Sequence, residues 1–220
     1  MAPYTNFYDL SQPVYDHCPG WPTYEPTLVR YEASYETDRF NAEQIRLNAH
    51  TGTHLDAPFH FFPQGRTIDQ LDVSLFQGDA VIVDLRGTIQ PRQGIETAHL
   101  APCADRIRPG SIVLFATGWG DKRSFDDVYQ HDWPYLTGSA AEWLKARGVK
   151  GVGIDTLSMG GWYEGTGRPC HEALLSGGIW ILEELHFPDE LVERGGCYLM
   201  AFPLRLAGFS GAPARAVAAV

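Results

Sequence analysis

Cysteine is scarce in this chain, and the four present, Cys18, Cys103, Cys170 and Cys197, form neither a C-x-x-C pair nor an evenly spaced framework. A disulfide-stapled scaffold is thereby excluded, and free thiols in a reducing cytoplasm are expected. Long apolar runs are missing as well. No segment approaches the ~20 apolar residues of a membrane span, and the start Met-Ala-Pro-Tyr-Thr-Asn-Phe-Tyr has neither the basic residues nor the apolar stretch of a signal peptide. Clustered Lys and Arg are lacking too, and a net charge of -10 speaks against contact with nucleic-acid phosphates. Repeats, low-complexity tracts and linkers are absent, so residues 1–220 read as a single domain, soluble and cytoplasmic. With 44% hydrophobic and 20% charged residues, long disorder is not expected.

What is present alternates strand-like runs with few, short helices. Pro13, Pro19, Pro22 and Pro26 confine residues 4–27 to an ordered coil with a short strand near Phe7–Leu10. Strands are expected over Leu28–Ser34 and Ala42–Ala49, the second delivering His50 on its polar face. Gln64-Gly65 is a turn signal, and Thr67–Leu75 a polar connection. Buried strands follow at Ala80–Leu85, Ser111–Ala116, Val149–Asp155, Gly178–Glu183 and Gly196–Phe202. A short helix is expected over Ile95–Ala101 and another over His171–Leu175; the clearest spans Tyr135–Arg147, with Ser139 and Glu142 as a capping box and Gly148 as its stop. Thr156–Cys170, rich in Gly around Trp162 and Tyr163, reads as an active-site flap or a plain surface loop, and Leu204–Val220 as an apolar, small-residue tail. Such a succession is not a doubly wound pattern.

The densest chemistry lies in His50-Thr-Gly-Thr-His-Leu-Asp-Ala-Pro-Phe-His60, three imidazoles and a carboxylate within eleven residues. Neutral imidazole and carboxylate suit a borderline divalent cation such as zinc, manganese or iron, with no thiol needed. All four polar groups occupy even positions, one face of an extended chain, yet a straight strand would hold His50 and His54 about 13 Å apart. The chain must bend, and Gly52 and Pro58 are where it can. One helix-like turn over 50–54 would bring those imidazoles within about 6 Å, with Asp56 folding back beside them.

Further ligands must come from elsewhere. His171 and Glu183 each stand at the edge of an apolar element near glycine, and of Glu183 and Glu184 one should point inward and the other to solvent. His17, His99, His131 and His186 lack such context and read as surface or hydrogen-bonding residues. Cys170 beside His171 is a weak nucleophile candidate, because adjacent residues rarely meet as nucleophile and base. Asp155 reads as a cap and Trp119 as packing, and Phe59, Phe61 and Phe62 more as core than as substrate wall.

The pattern His50-x-Gly52-Thr53-His54-x-Asp56-Ala57-Pro58-x-His60 resembles the signature of the metal-dependent cyclase family, which includes bacterial kynurenine formamidases, isatin hydrolases and related amide hydrolases. The likeness extends to Ala116-Thr117-Gly118-Trp119, Gly153-Ile154-Asp155-Thr156, His171 with Leu174-Leu175, Ile181-Leu182-Glu183-x-Leu185 and Gly211-Ala212-Pro213-x-Arg215-Ala216-Val217. It implies an α/β (α+β) architecture, a swivelling β/β/α fold of mixed sheets with short flanking helices, assembled as a homodimer or homotetramer. Two zinc ions are implied by the kynurenine formamidases, the first held by His50, His54 and Asp56, the second by Asp56, His171 and Glu183. A single manganese is implied by the isatin hydrolases. His60 would then be the general acid and base, and Phe59, Phe61, Trp119 and Trp162 would pack on an aryl substrate such as N-formylkynurenine. Three functions follow as expectations: an arylformamidase-type amide hydrolase, a hydrolase of a cyclic amide, imide or lactone, and a non-catalytic metal-binding protein.

Overall fold

The computed structural model describes residues 4–220. In chain order its strands are β1 (Phe7–Asp9), β2 (Leu28–Ala33), β3 (Ala42–Arg46), β4 (His54–Asp56), β5 (Gln77–Asp84), β6 (Gly94–Ile95), β7 (Ile112–Ala116), β8 (Tyr135–Leu136), β9 (Gly151–Ile154), β10 (Trp180–Glu183), β11 (Gly196–Pro203) and β12 (Gly211–Ala219). Eight of them form one mixed sheet in the order β1-β12-β11-β5-β7-β9-β10-β4. The run β5, β7, β9 and β10 is parallel, and the remaining neighbours are antiparallel. The sheet closes on itself, because β12 begins against β4, pairing Gly211 with Asp56 and Pro213 with His54, before continuing against β11. Closure leaves no bare edge on either of those strands.

Alternation along the strands then sorts side chains into two cores. Leu55, Ile82, Leu114, Leu182, Leu199 and Ala216 fill the inside of the ring. Val83, Val113, Phe115, Val152, Ile154 and Ile181 face outward, under the helices Gly138–Ala146 and Arg168–Ser176. Gly151 is required by packing rather than by its backbone angles, since a Cβ there would overlap the indole of Trp180. The α/β (α+β) expectation of mixed sheets with short flanking helices holds.

Several local expectations do not. The apolar tail is a nine-residue strand, β12, at the seam of the closed sheet. Its small residues suit the seam, where a Cβ on Gly211 would collide with Leu55 O and the His50 ring. β3 stops at Arg46 and pairs only with β2 as a separate ribbon, so His50 arrives from a turn rather than on a strand. Ile95 belongs to β6 beside β8, and the helix expected from it starts at Thr97. The N-cap of the helix Gly138–Ala146 is Thr137, whose Oγ1 accepts the Ala140 N–H at 3.3 Å, and not Ser139. Residues 156–161 are all buried, so the glycine-rich segment is neither a flap nor a surface loop over its first six residues.

Candidate metal centre

The candidate ligands converge on the outward face of β4 and β10. Antiparallel register sets His54 opposite Glu183 and Asp56 opposite Ile181, while Leu55 and Leu182 point into the ring. The bend expected at Gly52 is present, with φ of 68°, and it swings His50 back until its ring centroid lies 5.1 Å from that of His54. After β4, Pro58 opens a single 3-10 turn, Pro58–His60, which brings the His60 ring to 4.1 Å from His50 in a stacked arrangement. His171 comes down from the helix Arg168–Ser176, with Phe61 stacked on it at 4.7 Å.

Backbone carbonyls aim two of these imidazoles. His54 Nδ1 donates to Gly52 O at 2.7 Å and His171 Nδ1 to Gly167 O at 2.8 Å, so on each ring Nε2 is the nitrogen that faces the cluster, oriented as metal-binding histidines are by their outer-shell partners. His54 Nε2 lies 3.5 Å from Asp56 Oδ1 and 3.4 Å from Glu183 Oε2. His171 Nε2 lies 3.3 Å from Glu183 Oε1 and 3.8 Å from Asp56 Oδ2. Glu183 is itself fixed by the Met159 N–H at 2.6 Å and Ser158 Oγ at 3.1 Å. His50 Nδ1 donates to Asp56 Oδ1 at 2.6 Å, and its Nε2 meets Ser210 Oγ at 2.8 Å.

Of the four buried side-chain atoms without a hydrogen-bond partner among the described residues, two belong to this cluster, His54 Nε2 and Asp56 Oδ2. Leaving a buried donor or acceptor unmade is costly, and a divalent cation is what a bare imidazole nitrogen and a bare carboxylate oxygen jointly suit. The charges agree. Burial opposes ionisation of Asp56 and Glu183, but the surrounding imidazoles outweigh it and hold both carboxyls below their usual range. Burial likewise opposes a proton on His54, yet Glu183 and Asp56 raise its pKa to about 9. Two sealed carboxylates thus demand positive charge within the cluster, which protons supply here and a cation can replace.

Potential ligand atoms within 4.8 Å of one another form two triplets, His50–Asp56–His60 and His54–Asp56–Glu183. Both contain Asp56, the residue expected to be shared, but they cut across the two sets implied by the resemblance. His171 touches Glu183 without joining either triplet.

A cavity of about 390 Å³ opens onto the cluster and is lined by His50, His60, His171 and Glu183 at its base. Its wall carries Phe61 and Trp162, two of the four aromatics named from the resemblance, together with Trp21, Tyr24 and Tyr163. Phe59 and Trp119 do not line the cavity: Phe59 turns outward from the 3-10 turn, and Trp119 packs as its position after a strand suggested, buried against Tyr129 with its indole N–H bonded to Tyr129 O. Trp21 and Tyr24 escaped the sequence reading because they sit in irregular coil, where no periodicity marks a face. An aromatic held between Gly20 and Pro22 was the available signal. Glu184 is a further correction, because both glutamates are sealed, at 4% and 1% exposure. Asp155 caps as expected, accepting the Thr117 and Gly118 N–H groups at 3.0 and 2.8 Å.

Residues 8–160 match the Cyclase family. The kynurenine formamidase of Geobacillus thermodenitrificans is 32% identical over 210 residues, covering 94% of this chain and 94% of that enzyme. Among solved structures, a potential metal-dependent hydrolase with cyclase activity is 29% identical with a TM-score of 0.80, covering 97% of this chain and 96% of the other. Isatin hydrolase A of Labrenzia aggregata shares the fold at a TM-score of 0.87 and 24% identity, covering 98% and 93%. With its histidine and carboxylate cluster set on the outer face of a closed mixed sheet, this chain belongs to the cyclase family of metal-dependent hydrolases.

Proposed function

We propose that this protein is a metal-dependent amide hydrolase of the arylformamidase type, cleaving N-formylkynurenine to kynurenine and formate. The observation that carries the reading is the pair of buried, unpartnered atoms, His54 Nε2 and Asp56 Oδ2, beneath an aromatic-lined cavity. His50, His54, Asp56, His171 and Glu183 would hold one or two divalent ions, zinc foremost and manganese as the alternative. When bound, such a cation supplies Lewis acidity toward a carbonyl oxygen and eases deprotonation of water.

The protein's own residues do the rest. Phe61, Trp162, Trp21 and Tyr24 hold an aryl group by stacking and exclude water, and about 390 Å³ is room for a single-ring substrate with a short side chain. His60 borders the cavity, and burial lowers its pKa, so the imidazole is neutral and able to accept a proton. It takes one from the attacking water as the water oxygen bonds to the formyl carbon, and returns it to the aryl nitrogen as the C–N bond breaks. Cys170 Sγ does approach His171 Nδ1, at 3.6 Å despite their adjacency in the chain, but Cys170 is fully buried and that nitrogen donates to Gly167 O, so the thiol is unsuited as nucleophile.

Dialysis against a strong chelator is expected to abolish hydrolysis of N-formylkynurenine, and added zinc or manganese to restore it. Full activity after verified metal removal would sink the metal mechanism. Turnover of isatin or simple lactones in preference to N-formylkynurenine would move the assignment to the cyclic-amide or lactone reading. Bound metal with no hydrolysis across the panel would favour a binding protein.

A homodimer is proposed with it. The β2–β3 ribbon carries Tyr31 and Ile45 and the connection between its strands Tyr35 and Phe40, all exposed by half or more, and so much apolar surface in one place suits a second copy of this chain. Light scattering is expected to give twice the chain mass, falling toward one when Tyr31 and Ile45 are both changed to Ser; a monomeric wild type would refute it. The four cysteines are free thiols, which supports a reducing, cytoplasmic setting.

A further inference from the structure

Glu183 and Glu184 are consecutive, yet both are sealed from solvent. Successive strand residues point to opposite sides, and Glu184 follows the last residue of β10 in the left-handed region, at φ 53°. Glu183 faces the ligand cluster, while Glu184 reaches the other side of the loop carrying His50 and His54. There its Oε1 accepts the Gly52 N–H at 3.1 Å, and its main-chain carbonyl accepts Thr53 Oγ1–H at 2.5 Å. Gly52 is the residue whose own carbonyl orients His54. Glu184 therefore clamps the bend from which His54 Nε2 is aimed.

The second oxygen, Oε2, has no hydrogen-bond partner and faces Arg123 Nη2 at 3.3 Å. Arg123 is 7% exposed and donates to two main-chain carbonyls, Nη1 to Pro13 O at 2.5 Å and Nη2 to Pro19 O at 3.0 Å. Two residues beyond Pro19 stands Trp21, part of the cavity wall. A buried charge without its partner is strongly disfavoured, so carboxylate and guanidinium hold each other in place, and with them the loop and the wall.

We propose that Glu184 is a positioning residue with two arms: through Gly52 it sets His54 for the metal, and through Arg123 it ties the ligand loop to the Trp21 wall of the substrate cavity. The inference rests on the metal-dependent reading above and assigns a role to a carboxylate that is not itself among the candidate ligands. An ion pair serving stability alone would lower the melting temperature without touching the affinity of folded protein for metal. The two arms make separable demands, because an acceptor for Gly52 N–H requires only an oxygen, whereas the tie to Arg123 requires the charge.

The test uses the full chain, with Zn²⁺ alone titrated against a chromogenic chelator, and kcat and KM measured on N-formylkynurenine after metal loading. Glu184→Ala is expected to weaken zinc binding about 10–100-fold, the range for outer-shell partners. Glu184→Gln keeps an oxygen for Gly52 and should restore most of that affinity, while KM rises about tenfold with a smaller change in kcat. Should either single variant fail to fold, Arg123→Met combined with Glu184→Gln removes both buried charges at similar volume and is expected to show the same KM rise with zinc affinity retained. Wild-type zinc affinity in folded Glu184→Ala, or an unchanged KM in the double variant, overturns the inference alone. Wild-type protein that binds no zinc overturns the metal reading and this inference with it.

Discussion

Replacing His60 by alanine is expected to lower kcat about 10²–10⁴-fold, the usual worth of a positioned acid–base group, while the metal content stays at the wild-type value. The ring borders the cavity, stacks on His50 at 4.1 Å, and is kept neutral by burial. A neutral imidazole at the cavity base can take a proton from water and hand it to a departing nitrogen, whereas a permanently protonated one cannot serve as base. Elemental analysis alongside the kinetics decides between two roles, because His60 also stands within ligand distance of His50 and Asp56. Loss of metal together with turnover would move His60 into the ligand set. Near-normal turnover with metal retained would remove it from the chemistry altogether.

Asp56→Ala should be at least as damaging, and for a different reason. Asp56 is fully buried, belongs to both ligand triplets, and is the acceptor for His50 Nδ1. Deleting it removes an anion that each triplet needs and leaves the His50 N–H unpaired, so the variant is expected to bind metal at least about 100-fold more weakly, beyond the upper end of outer-shell effects. Turnover should fall with occupancy and should not be recovered by millimolar zinc if the carboxylate also orders the imidazoles. Metal stoichiometry equal to wild type after exhaustive dialysis would contradict the shared-ligand assignment. Stability should fall as well: the imidazoles hold Asp56 below its usual range and His50 Nδ1 donates to it, so the metal-free variant is expected to melt below the metal-free wild type, as scanning calorimetry can report.

The comparison of Glu183 with Glu184 shows where sequence reasoning stopped. Alternation correctly sends the two side chains to opposite sides, but equating the second side with solvent requires that side to be bare. In the closed sheet it is covered by the 50–54 loop and by Arg123, and both glutamates are buried. The same limit hid Trp21 and Tyr24. They reach the cavity because Arg123 and Thr53 fasten the N-terminal coil to the body, Thr53 Oγ1 accepting the Gln12 N–H at 2.8 Å, and side-chain contacts across more than thirty residues leave no periodic trace in the chain.

By itself the sequence determined what is local. Spacing within residues 50–60 identified the donor types, the need for a bend and the two residues able to make it, because a metal site must bring its ligands within a few ångströms and a short segment can do so only by turning. Apolar runs marked β5, β7, β9 and β10, whose burial on both faces writes itself into composition. Tertiary structure alone decided the rest. Pairing of β12 with β4 closed the sheet and turned an apparent tail into its seam. Register between β4 and β10 set Glu183 against His54 across 129 residues of chain, and the helix Arg168–Ser176 laid His171 over them. Which imidazole neighbours which carboxylate is fixed by that register and packing, since the energy that selects them is the burial of the whole closed sheet and not a property of any one segment.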